Sequence, residues 1–136
     1  MNPALLDTDT VSEILKQKNQ VVAKNALDYT RKVGPLAFSR MTRYEIMRGY
    51  KHLVAARQIA MFEVFCRNSV IIPTTDDVWE LASDLWAQGR SQGLPHDDAD
   101  LVIAATALVQ GLTLVTGNTT HFSWIPGLIL VDWRQP

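Results

Sequence analysis

The residues of this chain best suited to chemistry are its acids. Asp97, Asp98 and Asp100 crowd one turn just ahead of Leu101-Val102-Ile103-Ala104-Ala105-Thr106-Ala107-Leu108-Val109, a run in which only Thr106 is polar. A helix that is apolar all the way round is buried on most sides. Carboxylates at a helix N-terminus interact favourably with its dipole, so capping by itself accounts for one aspartate there. Three exceed that need: like charges repel, and burying them is costly unless a cation sits among them. At least one is therefore read as a metal ligand. Asp100 is preferred because it lies deepest against the apolar run, with Asp98 a further pocket residue.

Two more acids invite the same reading. Asp7, followed by Thr8 and Asp9, comes directly after the apolar Ala4-Leu5-Leu6. Thr10 and Glu13 have capping-box spacing, so a helix is expected to begin there. Asp7 then precedes the cap and sits in a strand-to-helix crossover, where parallel α/β sheets bind ligands. Capping accounts for Asp9 better than for Asp7. The third acid, Glu45, is surrounded by Arg40, Arg43, Arg48, Lys51 and Arg57, with no other acid between 40 and 57. These charges read either as a solvated face or as a phosphate-contacting face for an anionic polymer. Glu45 and Arg48 also have the spacing of an ordinary surface pair.

The elements that must position these groups alternate. Ala4–Leu6 reads as a buried strand, residues 20–33 as a helix carrying Val22, Ala26, Tyr29 and Val33 inward, and Gly34-Pro35 as its stop. Residues 36–39 form a second strand, residues 41–52 a helix containing Glu45, and residues 55–68 another, offering Ile59, Met61, Phe62, Val64 and Phe65 to the core. Val70–Ile72 is a third strand. Thr74 or Thr75 caps a helix with a broad apolar stripe of Val78, Trp79, Leu81, Ala82, Leu85 and Trp86. Gly93-Leu94-Pro95 leads into the acidic turn, Gly111 closes the buried helix, and residues 112–116 and 128–131 complete the strands. Strands alternating with helices imply βαβ units: an α/β fold with a central, mainly parallel five-stranded sheet covered on both faces, forming one domain over residues 1–136.

Totals narrow the function. With 47% hydrophobic and 20% charged residues the profile is globular, and a net charge of −1 argues against coating nucleic acid by bulk charge. The single cysteine, Cys66, leaves no internal disulfide and no multi-cysteine zinc site. Three histidines without an H-x-x-x-H pattern disfavour zinc, and His121 reads as a loop residue. Apolar runs fall short of the ~20 residues needed to span a bilayer. The N-terminal residues lack a basic stretch, so a soluble, cytoplasmic protein is expected.

Asp7, Glu45 and Asp100 come from three segments that a parallel sheet can bring to one edge. Thr116 and Asn118, in the polar loop after the fourth strand, either line that edge or form a simple turn. An all-oxygen site selects hard cations, Mg2+ or else Mn2+. Such a site activates water and steadies the charge that builds on a phosphodiester. There is no Ser-His-Asp order of note, Gly-rich phosphate loop or dinucleotide fingerprint.

Four segments, Leu5-Leu6-Asp7-Thr8-Asp9, Thr42-Arg43-Tyr44-Glu45-Ile46, Asp100-Leu101-Val102-Ile103-Ala104-Ala105 and Leu114-Val115-Thr116-Gly117-Asn118 with His121-Phe122, resemble the four motifs of PIN-domain ribonucleases. The closer likeness is to VapC-type toxins of bacterial toxin–antitoxin pairs, whose C-terminus Ile125-Pro126-Gly127 and Val131-Asp132-Trp133 also resemble. The resemblance covers essentially the whole chain. It implies a PIN-like α/β/α sandwich, a Mg2+-dependent endoribonuclease, a homodimer, and an antitoxin that blocks the site. It makes Asp7 and Asp100 metal ligands and Glu45 a ligand directly or through water. It has Asn118 and Thr116 line the pocket. Beside the resemblance, Thr8, Asp9 and Asp98 are candidate pocket residues, and Arg40, Arg43, Arg48 and Lys51 are the candidate RNA contacts if the basic face binds phosphate. Asp9 departs from the asparagine of many relatives, and Asn118 from the fourth aspartate of many PIN nucleases, which weighs against a tightly bound second metal.

Residues 5–11 also fit the opening of haloacid-dehalogenase-type phosphatases, with Asp7 as nucleophile and Asp9 as general acid/base. Those enzymes need a late lysine, whereas the last lysine here is Lys51. A non-catalytic PIN-like binding module is disfavoured by the presence of all three principal acids.

Overall fold

Five strands of two or three residues each pair in parallel in the order β3-β2-β1-β4-β5. The computed structural model describes every residue except Pro95 and His96, so that part of the lead-in to the acidic turn lies outside the described residues. β1 (Ala4–Leu6) is central and wholly buried. It is flanked by β2 (Ala37–Ser39) and β4 (Thr113–Val115), with β3 (Val70–Ile72) and β5 (Leu130–Val131) at the edges. Leu6 stands opposite Phe38 and Val115, so the carboxyl ends of β1, β2 and β4 reach one edge together. Successive strands run outward from β1 one way through β2 and β3, and the other way through β4 and β5. The β1/β4 boundary is therefore the switch point at which such sheets bind ligands.

Side chains alternate across the strands. Leu6, Phe38 and Val115 face a core layer with Val11, Tyr29, Phe62 and Trp133, under α1 (Thr8–Lys16), α2 (Gln20–Lys32), α3 (Arg40–His52) and α4 (Ala56–Arg67). Leu5 and Leu114 face the other layer, built with α5 (Asp76–Ser91) and α6 (Asp98–Gln110) and joined by Phe122 of the short α7 (Thr119–Phe122). α6 is buried at every position from Leu101 to Ala107. The Thr106 hydroxyl is satisfied inside the helix by donating to the Val102 carbonyl at 2.7 Å. The all-round burial expected of the apolar run thus holds to Ala107, whereas Leu108 is half-buried and Val109 exposed in the last turn before Gly111; the layered α/β fold matches the expected class.

Local chemistry sets most boundaries. Asn19 caps α2 by accepting from the Val21 and Val22 amides, Ser39 caps α3 through the Thr42 amide, and Gly111 ends α6 in the left-handed region at φ 67°. α1 starts earlier than its capping-box spacing predicts. It begins at Thr8, with Asp7 itself as the cap, accepting from the Thr10 amide at 2.8 Å. Asp7 is thus in part a cap, although its place ahead of the Thr10–Glu13 spacing does not predict it. Val33, Met61, Val64, Trp79 and Trp86, expected inside, are substantially exposed; Val33 is the C-cap just beyond α2, and Trp79 and Trp86 line an open groove against Leu101 and Val102 of α6. Among the described residues no helix is long and apolar enough to cross a membrane.

Candidate metal centre

The acids converge where β1 and β4 end. A pocket of about 190 Å³ is lined by Asp7, Thr8, Asp9, Glu45, Asp97, Asp100, Asn118 and His121. Asp7 is held most tightly. It is only 4% exposed, its amide donates to the Val115 carbonyl at 3.0 Å, and one carboxylate oxygen is taken by the Thr10 amide. Burial pushes its carboxyl above the ordinary aspartate value, and hydrogen bonds from Thr116 and the Thr10 amide only partly offset this.

Glu45 enters from α3. The Thr8 hydroxyl donates to its Oε1 at 2.6 Å. Since that hydroxyl has one proton, the buried Thr42 hydroxyl 3.1 Å away must donate in turn to Thr8. Arg48 lies 3.8 Å from Glu45 Oε2 and stacks over the Tyr44 ring at 5.0 Å. Asp100 comes from the first turn of α6, and its carboxyl is pushed up to about 6, mainly by burial and then by the neighbouring Asp97 charge. His121 Nδ1, at 3.5 Å from Asp100 Oδ2, works in the opposite direction.

The positive ends of α1 and α6 both point at this pocket, a partial substitute for a cation. The donor set is oxygen-rich, which suits a hard divalent ion. Among the described residues no three carboxylate, imidazole or thiol groups stand close enough together to form a finished cage. A small hydrated ion that keeps several of its waters fits such a spread set better than one demanding full protein coordination. Two carboxyls driven toward protonation in one small pocket are the local sign that positive charge is wanted there.

Other expected site residues are placed differently. Thr116 is fully buried beneath Asp7, and its hydroxyl accepts from the Asn118 amide at 2.9 Å. Asn118 lines the pocket, and its side chain makes no capping bond to α7. Asp98 is not in the pocket. It lines a separate groove with Trp79, Trp86 and Leu101, being the first helical residue after Asp97, which is an extended cap folded back onto the Asp100 amide. Asp97, which sequence spacing gives no reason to prefer, is the residue that belongs here. It caps α6 through the Asp100 amide at 2.8 Å and lines the pocket.

The basic cluster does not form one track. At about 100° per residue, Arg40 and Arg43 lie about 140° to 160° around α3 from Glu45, and Lys51 about 120°. Arg43 instead pairs with Glu63 of α4 at 3.1 Å, an acid outside the 40–57 window. Of the α3 cations, Arg48 alone stands beside the pocket.

A PIN-domain family model matches residues 4–126. A ribonuclease VapC19 of Mycobacterium tuberculosis is 33% identical over 93 residues, covering 68% of this chain and 71% of that protein. A tRNA(fMet)-specific endonuclease VapC of Salmonella typhimurium is 26% identical over 130 residues, covering 95% and 96%. The crystal structure of DNA-bound VapBC from Salmonella typhimurium superimposes with a TM-score of 0.86 at 27% identity, covering 98% of this chain and 99% of that one. With the motif acids gathered at the switch point of a matching fold, the chain belongs to the PIN-domain family, on the branch of the VapC ribonucleases.

Proposed function

We propose that this protein is a Mg2+-dependent endoribonuclease, the toxin of a toxin–antitoxin pair, working in the cytoplasm as a homodimer that a cognate antitoxin silences. The observation that carries the reading is the pair of carboxyls, Asp7 and Asp100, pushed toward protonation in one small pocket beside Glu45. Nucleases of this family depend on divalent metal in general. Relatives of the fold are solved as toxin–antitoxin complexes, which supports the partner. No lysine lines the pocket among the described residues, which removes the phosphatase alternative's required cation.

In this reading Asp7, Asp100 and Glu45 are the residues that would hold the ion. The ion supplies an activated water and positive charge against the phosphodiester. The chain's own work is orientation. Thr10 and Thr116 fix the Asp7 carboxylate, and the Thr42–Thr8 relay fixes Glu45. Arg48, beside the pocket mouth, offers a cation to the RNA backbone. Asn118 presents an amide to the pocket wall without adding charge.

The test is to incubate purified, antitoxin-free protein with total RNA, with and without Mg2+, and map the ends produced. Metal-dependent internal cleavage by the parent, lost in Asp7→Asn and in Asp100→Asn, is the expected result. Full cleavage by either folded variant overturns the assignment.

A further inference from the structure

The polar loop that carries Asn118 is held from an unexpected direction. Thr116 and Asn118 bracket Gly117, whose carbonyl accepts from the guanidinium of Arg134, seventeen residues later. That guanidinium is oriented by Asp132. Its Nε lies 3.3 Å from Asp132 Oδ1, another of its nitrogens 3.3 Å from Oδ2, and the Arg134 amide donates to Oδ1 at 2.9 Å. The tail presenting it is anchored. Trp133 is buried against Tyr29 with ring centroids 5.6 Å apart, and Asn25 Nδ2 donates to the Trp133 carbonyl at 2.8 Å.

A second feature meets the first at the same point. Gly117 has no left-handed backbone to explain its glycine. A Cβ there would run directly into the Arg134 guanidinium, which covers the loop like a plate. The contact sequence therefore runs from Asp132 through Arg134 and the Gly117 carbonyl to Thr116 and Asn118, and Thr116 in turn bonds the Asp7 carboxylate.

We propose that Arg134 is a positioning residue for the reaction: it latches the Thr116–Asn118 loop to the C-terminal tail and so sets where Asn118 and the Thr116 hydroxyl meet the acidic pocket. This rests on the reading of that pocket as the ribonuclease site. Arg134 does not line the acidic pocket itself; it acts through the backbone of Gly117. Because Arg134 is half exposed, the latch contributes little to global stability. Its effect is on local order, and a small displacement at a reacting centre is magnified in rate.

The experiment uses the full chain in three forms: Arg134→Gln, which removes the guanidinium; Gly117→Ala, whose methyl pushes the flexible guanidinium aside; and the double variant. Expected are a kcat about tenfold lower in each single variant with KM within about twofold, and no further fall in the double variant, because both changes remove the same contact. Amide hydrogen exchange across residues 116–120, measured without metal or RNA, rises in all three while the unfolding midpoint stays within about 2 °C. Unchanged kcat in Arg134→Gln, unchanged local exchange, or losses that multiply in the double variant overturn the latch. So does a raised KM with kcat intact, which would mean that Arg134 touches RNA directly. A parent without RNase activity overturns the functional reading instead, and the exchange measurement still decides the latch.

Discussion

Asp100→Asn in the metal-free protein tests the electrostatics of the pocket apart from catalysis. An unfolded aspartate ionises near 3.8, whereas Asp100 in the fold does so at about 6. Between those values the native state keeps a proton that the unfolded state has lost, so native stability falls as pH rises. The loss is complete above about 6. A shift of about 2 units corresponds to about 3 kcal/mol before solvent is considered. The side chain is 27% exposed, and screening reduces this to about 1.5 kcal/mol. The charge also gains a few tenths of a kcal/mol from the N-terminus of α6, which leaves about 1 kcal/mol for the variant to recover. In EDTA, Asp100→Asn should therefore match the parent near pH 4 and exceed it above pH 6, by about 3 to 5 °C in melting temperature. With saturating Mg2+ or Mn2+ the order should reverse, because the parent gains about 2.7 kcal/mol at a hundredfold excess over Kd and the variant gains less. Melting curves from pH 4 to 8, with chelator and with metal, give the answer. A variant less stable than the parent in EDTA at pH 7, or a difference that does not change with pH, would refute the reasoning.

Three further outcomes are expected. Asp9→Asn should keep RNase activity within about tenfold, about 1.4 kcal/mol in the barrier, since Asp9 is exposed at the pocket rim; a greater loss in cleavage assays would make its charge essential. Arg43→Ala should leave the salt slope of RNA binding unchanged, whereas Arg48→Ala should flatten it by about 0.7 on a log–log plot, read from affinities at several salt concentrations with Asp100→Asn added to stop cleavage. Tyr29→Phe should cost about 1 to 3 kcal/mol in denaturant unfolding, because the Ala4 amide at the start of β1 donates to the Tyr29 hydroxyl at 2.9 Å and would be left buried without an acceptor.

What the amino-acid sequence determined by itself was local or periodic. An apolar run with one threonine can only be a buried helix, and α6 is one. Three-residue apolar stretches followed by helical spacing give parallel strands, and the acids just beyond them fall at the sheet edge because a strand's end is where its crossover begins. Tertiary structure decided everything that depends on rotation about a helix axis or on contacts distant in sequence. Asp97 faces the pocket and Asp98 the Trp79–Trp86 groove, although they are adjacent, since Asp97 is an extended cap bent back onto the Asp100 amide and Asp98 is the first residue of the helix. Asp7 is a cap as well as a pocket acid, because α1 begins at Thr8 and not where the Thr10–Glu13 spacing places its start. Arg43 lost its place in the basic face to Glu63, twenty residues away on α4. Only the fold brings Arg134 onto Gly117, because nothing in a glycine's neighbours along the chain says which distant side chain will occupy the space its missing Cβ leaves.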